Sequence, residues 1–415
     1  MVVLDPLREL FGFGLVGAWL GYTAYWLEWH RKPFWVYAVL VARIFAAWAF
    51  GWLYARYYCF GDTLKVYLTA GRLSYYLWHE PGVALALFFK EFSYNWEKVG
   101  WQVFFQDIEL FGYDYEWSEP SNYIFYRLAV LPYVAAGGSY YGLQGLMGLI
   151  GGLLTYAAYR RWETVISLPR YFWVFLFLWP SVAFWFSGAL RDTLVFPLML
   201  YGAAWVASVR HWRDIGGGLA LVAVLLLRPE SMPLAIGVGL FLRFPSWWAI
   251  SVGSVVGVLA FMYWVGPWAY RYRAEALAPV LHPELPEASV FYLDFKPTPW
   301  GVWKGLGGGI VYGLLGPLPW HIQKLLVAVY ALEAWVGAGL MAYWGLWAWW
   351  RGGWKRSYVA LLLLGVIVVG GVAMAVPYWG TLARQRVYGL CWMALGIAAA
   401  VQEGTQRAQN RLGQP

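Results

Sequence analysis

The chain has 415 residues, of which 61% are hydrophobic, 21% aromatic and only 13% charged, with a formal net charge of +8. Ordinary globular chains carry about 25% charged residues, so a soluble domain this apolar lacks the polar surface to cover itself. Disorder, coiled coil and ordinary soluble enzymes are excluded, which leaves an all-α polytopic membrane protein, read as one integral domain over residues 1–415. Two cysteines, Cys59 and Cys391, are too few for a disulfide framework or a thiolate metal site, and no metal site is expected from the scattered histidines. The sequence holds no nucleic-acid-binding motif, so the net positive charge implies no nucleic-acid partner.

The first apolar stretch, from Leu10 to Trp29, has no basic leader and no small-residue exit, so it reads as a retained span rather than a signal peptide. Hydropathy then places spans near 10–28, 34–55, 140–159, 170–188, 192–209, 246–265, 322–350, 357–377 and 386–402. Two shorter runs, 216–227 and 231–243, flank Arg228-Pro229-Glu230. At 1.5 Å per residue neither crosses a core about 30 Å thick, so they predict a short helix pair with a polar turn. That gives about eleven transmembrane helices, two of them short. Residues 122–137, interrupted by Pro132 and closed by Gly137-Gly138, read as re-entrant or interfacial.

The basic residues of most short loops fall on one side of this plan: Arg31 and Lys32, Arg160, Arg161 and Arg170, Arg210 and Arg213, Arg243, Arg351, Lys355 and Arg356, Arg407 and Arg411. The positive-inside rule makes that side cytoplasmic. The amino terminus then lies outside and the carboxyl-terminal tail, 403–415, inside. Two long segments, 56–121 and 266–321, become extracytoplasmic loops, the first predicted to contain an amphipathic helix from Asp62.

Charge near a bilayer is expensive and tends to mark function, so the polar residues of the outward turns carry the functional reading. Asp62, just past the second span, is read either as an N-cap or as a general base held at the lip of a membrane cavity. Arg191 and Asp192 share an outward turn, where they either cap a helix and satisfy each other or serve a site. Arg228 and Glu230 form either a structural ion pair or the floor of a headgroup recess. Arg384 and Arg386, placed in an outward loop against the basic bias, suit a lipid-linked phosphate, because guanidinium groups bind phosphate bidentately and stay charged. Arg43 and Glu333, inside spans, are expected to face protein rather than lipid. Asp107, Glu109, Asp114, Glu116 and Glu119 form an acidic run that reads as a solvated face with the capacity to bind a divalent cation, although nothing in the sequence requires one.

In layout the chain resembles the GT-C superfamily of membrane glycosyltransferases, which includes protein mannosyltransferases and aminoarabinose transferases. The resemblance rests on "FGD" after the second span, "PSVAFWFSGALRD", "LLLRPE" and a second long outer loop. It implies transfer of a sugar from a polyprenyl-phosphate donor to a glycan, lipid or protein acceptor. It makes Asp62 and Asp192 the catalytic carboxylates, and Arg384 and Arg386, with Arg191 and Arg228, the lipid-phosphate ligands. The setting would be the cell envelope, at a bacterial or archaeal plasma (inner) membrane. A polysaccharide polymerase or ligase, and a non-catalytic transporter or scaffold, are the rival readings.

Overall fold

The computed structural model describes residues 5–29, 33–58, 62–82, 120–166, 168, 172, 177–208, 214–244, 259, 261–277, 290–322 and 324–412. Fourteen α-helices and no strand occur among them; the one sheet-like feature is an antiparallel bridge between Val290 and Tyr378. In chain order the helices are α1 (Pro6–Trp29), α2 (Phe34–Trp52), α3 (Asp62–His79), α4 (Pro120–Ala135), α5 (Tyr140–Trp162), α6 (Pro180–Trp185) and α7 (Asp192–Ser208). They continue with α8 (Ile215–Leu227), α9 (Met232–Arg243), α10 (Gly266–Leu277), α11 (Pro299–Leu315), α12 (Leu325–Trp350), α13 (Arg356–Ala375) and α14 (Trp379–Leu412).

Five helical stretches among the described residues are long and apolar enough to cross a membrane: Pro6–Glu28, Phe34–Arg56, Val327–Trp350, Arg356–Ala375 and Trp379–Asn410. About 20 residues suffice for a hydrocarbon core of about 30 Å, and each stretch reaches that length. Several expected spans take another form. Residues 140–159 lie in α5, which is 23 residues long but is diluted by glycines and tyrosines. Part of 170–188 lies outside the described residues; what is described includes the six-residue α6, which Pro180 opens and a run of turns from Phe186 closes. Most of 246–265 lies outside the described residues. The short pair is present as α8 and α9, joined by a 3-10 turn over Pro229–Ser231.

The chain divides into two compact units, Met1–Arg160 with Ala183–Gly202 and His211–Ile236, and Arg161–Val182 with Ala203–Arg210 and Gly237–Pro415. In the first, α1, α2 and α5 share a core of Val16, Leu27, Val36, Leu40, Ile44, Leu146 and Leu149. Between α4 and α5 the chain reverses through Gly137 and Gly138, at φ 64° and 71°. Residues with a Cβ rarely adopt that left-handed conformation, so the two glycines make the turn. Ser139 then caps α5 by accepting from Gly142 N at 2.8 Å.

In the second unit α11, α13 and α14 are in close contact through glycine. A Cβ on Gly309 would lie 2.4 Å from the Gly370 carbonyl oxygen, and one on Gly365 would lie 2.5 Å from that of Gly389. Small residues let apolar helices approach this closely where water supplies no driving force between them. The sequence reading left 266–321 wholly as loop, yet Gly305, Gly309 and Gly313 of α11 meet Met374, Gly370 and Val369 of α13. That segment therefore packs alongside the last turns of a candidate span. Thr298 begins α11 by accepting from Gly301 N at 3.2 Å, with Pro299 next in the chain.

Candidate functional site

The residues singled out from sequence fall in both units, and each unit is taken separately. In the first, α2 runs through a π-helical turn over Leu53–Tyr58, and α3 begins at Asp62. Asp62 is half-buried and opens a helix whose Thr63, Leu64, Val66 and Tyr67 are buried. Thr63 and Tyr140 share a hydroxyl–hydroxyl hydrogen bond at 2.8 Å, and Tyr67 donates to the Gly138 carbonyl at 3.3 Å. Burial pushes the Tyr67 phenol above its ordinary pKa. Asp62 thus stands on a helix fixed along its opening turns.

Asp192 is the first residue of α7 and is only 1% exposed. Its carboxylate pairs with the Arg228 guanidinium from the turn after α8, and Arg228 Nε also donates to Glu230 Oε1 at 2.9 Å. The Glu230 side chain is 63% exposed, so Arg228 sits between one buried and one open carboxylate. The sequence anticipated Arg228 with Glu230, but Asp192 is joined to them across 36 residues of chain. Arg191 is half-buried, and its carbonyl accepts from Leu194 N and Val195 N, both at 3.0 Å, as α7 starts.

Arg43 is fully buried in α2, as expected. Its Nη1 donates to the Phe186 carbonyl at 2.9 Å and to Ser187 Oγ at 3.0 Å, and its Nη2 to Thr155 Oγ1 at 3.2 Å. Glu9, which the sequence reading passed over at the edge of the first span, is 7% exposed. It accepts from Ser139 Oγ at 2.6 Å, Tyr140 N at 3.0 Å and Tyr141 N at 2.8 Å. These are the unsatisfied donors at the start of α5, where a negative charge is favoured.

In the second unit the expected outward loop around Arg384 and Arg386 is helix, because α14 starts at Trp379. Residues two apart on a helix point to different faces, so the two guanidinium groups do not clasp one phosphate as loop residues would. Arg384 is half-buried, whereas Arg386 is 1% exposed. Arg386 Nη1 donates to the Gly313 and Gly316 carbonyls, each at 3.2 Å, which ends α11, and its guanidinium carbon lies 4.2 Å from the Tyr330 ring centre.

Arg273 of α10 has a parallel role that nothing in "YRYRAEAL" announces. It donates to the Ala373, Met374 and Val376 carbonyls at 3.1, 3.4 and 3.3 Å, ending α13, and also to the Phe291 carbonyl. Burial pulls its pKa down to about 10, which leaves it charged at neutral pH. Glu333 of α12 accepts from Ser181 N at 2.7 Å and Ser181 Oγ at 2.6 Å, at the start of α6.

A cavity of about 430 Å³ lies between α12 and α14, and Trp179 and Val182 help to wall it. Glu333 and Arg386 are the charged residues on its lining, and the rest is apolar or aromatic. Among the described residues no three metal-ligating side chains gather at one point, and the acidic run 107–119 falls outside them, as does Cys59. Cys391 is buried and lines the cavity. No protein-family model matches the chain, and no curated protein and no solved structure proves similar to it.

Proposed function

We propose that the protein is a membrane glycosyltransferase that moves a sugar from a polyprenyl-phosphate donor to an acceptor on the extracytoplasmic face, with Asp62 as general base. The observation that carries this reading is the seat of Asp62, a half-buried carboxylate opening a well-anchored helix a few residues past a candidate span. A general base must be held within hydrogen-bond reach of the proton it takes, and a carboxylate on a rigid element meets that demand better than one on a loop. In the second unit the proposed donor-phosphate ligand is Arg384, near the start of α14, while Arg386 gives Nη1 to the end of α11. In the first unit Asp192, Arg191 and Arg228 keep the supporting roles of this reading, the Asp192–Arg228 pair standing beside the open carboxylate of Glu230.

The test is transfer of a labelled sugar from polyprenyl phosphate in isolated membranes. Asp62→Asn is expected to lower transfer by about 10²–10⁴-fold, the usual contribution of a general base, and Arg384→Ala to weaken donor use. Wild-type transfer by Asp62→Asn removes that residue as base, and wild-type transfer by both variants overturns the assignment.

A further inference from the structure

The cavity of the second unit has a defined polarity. α12 and α14 run in the same direction along it: Arg386 stacks on Tyr330 near the start of both helices, and a Cβ on Gly404 would meet Arg351 near the end of both. Glu333 and Arg386 thus share one end, and the lining continues along α14 to Val401, about 22 Å at 1.5 Å per residue. Over that length α12 and α14 contribute Ala338, Met341, Leu390 and Ile397. A long apolar slot with charge at one end is the shape of a single lipid chain and its headgroup.

The headgroup can be specified further. Glu333 accepts two hydrogen bonds from Ser181, and a carboxylate has about four lone-pair sites, so acceptor capacity remains. Arg386 lines the cavity, and its Nε is buried with no hydrogen-bond partner among the described residues. Buried polar atoms left without partners are uncommon and call for an occupant. A purely anionic headgroup would face Glu333 and a purely cationic one Arg386, each a like-charge contact at a poorly solvated site. A headgroup carrying both signs meets both residues.

We propose that this cavity binds one acyl chain of an aminophospholipid of the bilayer, Arg386 receiving its phosphate and Glu333 its ammonium group. The site is separate from the transferase reading and stands whether or not Asp62 is a base. The probes are oleoyl-lysophosphatidylethanolamine and oleoyl-lysophosphatidylglycerol, which share chain and phosphate and differ in the ammonium. They are titrated onto the purified full-length protein in a maltoside detergent, with polyprenyl phosphate as competitor. The ethanolamine lipid is expected to bind about tenfold tighter, the scale of one charge-assisted hydrogen bond.

Glu333→Gln is expected to erase that preference while keeping an acceptor for Ser181, and Ala338→Trp to abolish binding of both lipids by filling the slot. Equal affinity of the wild type for the two lipids overturns the proposal, as does a preference that survives Glu333→Gln. Displacement by polyprenyl phosphate at equal strength also overturns it and assigns the cavity to the donor instead. Because binding is read without turnover, failure of the transferase assay leaves this result intact. Should Ala338→Trp not fold, the Glu333→Gln titration decides alone.

Discussion

The two units treat buried charge differently. In the first, opposite charges meet directly: Asp192 and Arg228 are 1% and 6% exposed at the side chain and pair with each other, and Arg228 also reaches Glu230. In the second, the buried arginines Arg273 and Arg386 are spent on backbone carbonyls at the ends of α13 and α11, and Glu333 on the start of α6. A helix end carries unsatisfied groups and roughly half a unit of charge, so it can stand in for a counter-ion. The first unit uses that device as well, through Glu9 and Arg43. What sets it apart, among the described residues, is a buried acid–base pair. A full pair holds two mutually dependent charges, whereas a capped end holds one charge against several shared carbonyls.

The sharpest way to break that contrast is to remove half of the pair. Asp192→Ala takes the buried counter-charge from Arg228, and loss of one partner of a buried pair costs about 3–5 kcal/mol. Thermal unfolding in detergent should fall steeply. The double variant Asp192→Leu with Arg228→Met removes both charges together and should recover most of the loss, because well-packed apolar replacements of such pairs are often neutral. A double variant as unstable as the single one would show that the pair is not the dominant local interaction, and the difference between the units would shrink.

How much of this was legible in the sequence follows the same division. Apolar periodicity located α1, α2, α5, α7, α8, α9, α12, α13 and α14, because a lipid-facing or fully buried helix has to be apolar over most of its surface. It also singled out Arg43, Asp62, Asp192, Arg228 and Glu333, since charge within apolar sequence is conspicuous. What the sequence concealed was partnership. Asp192 and Arg228 are 36 residues apart, and Arg191 beside Asp192 was the more obvious partner. Arg273 sits in a polar stretch with Arg271, and nothing there distinguishes the arginine that ends a distant helix. The loop drawn around Arg384 and Arg386 arose because charge depressed the hydropathy, while the backbone remained helical from Trp379. α11 was likewise read as loop, since its glycines lower local apolarity while permitting its close packing on α13.

An intermediate effect is expected where a guanidinium caps a helix. Arg386→Met keeps the length of the side chain but leaves the Gly313 and Gly316 carbonyls without their donor. Unsatisfied buried acceptors cost about 1–3 kcal/mol, so the melting temperature should fall by less than in Asp192→Ala. Amide exchange should rise in the last turn of α11 before it rises elsewhere in the second unit. Exchange that rises uniformly would mean that Arg386 acts through general packing, and the capping account of the second unit would fail.

The smallest effect is expected at Glu9. Glu9→Gln removes the negative charge at the start of α5 and leaves one acceptor oxygen, which in the Oε2 position still accepts from Ser139 Oγ and Tyr141 N while the bond from Tyr140 N is lost. A charge in favourable contact with a helix terminus contributes about 0.3–2 kcal/mol, more when partly buried. Glu9→Ala removes the acceptor as well and should cost more, by roughly the 0.5–2 kcal/mol typical of a lost N-cap. The ratio of the two losses separates charge from hydrogen bonding. If Glu9→Gln costs as much as Glu9→Ala, the bonds to Ser139 and Tyr141 add nothing beyond the charge and the Tyr140 bond, and the helix-end device of the first unit is nearly as electrostatic as its buried pair.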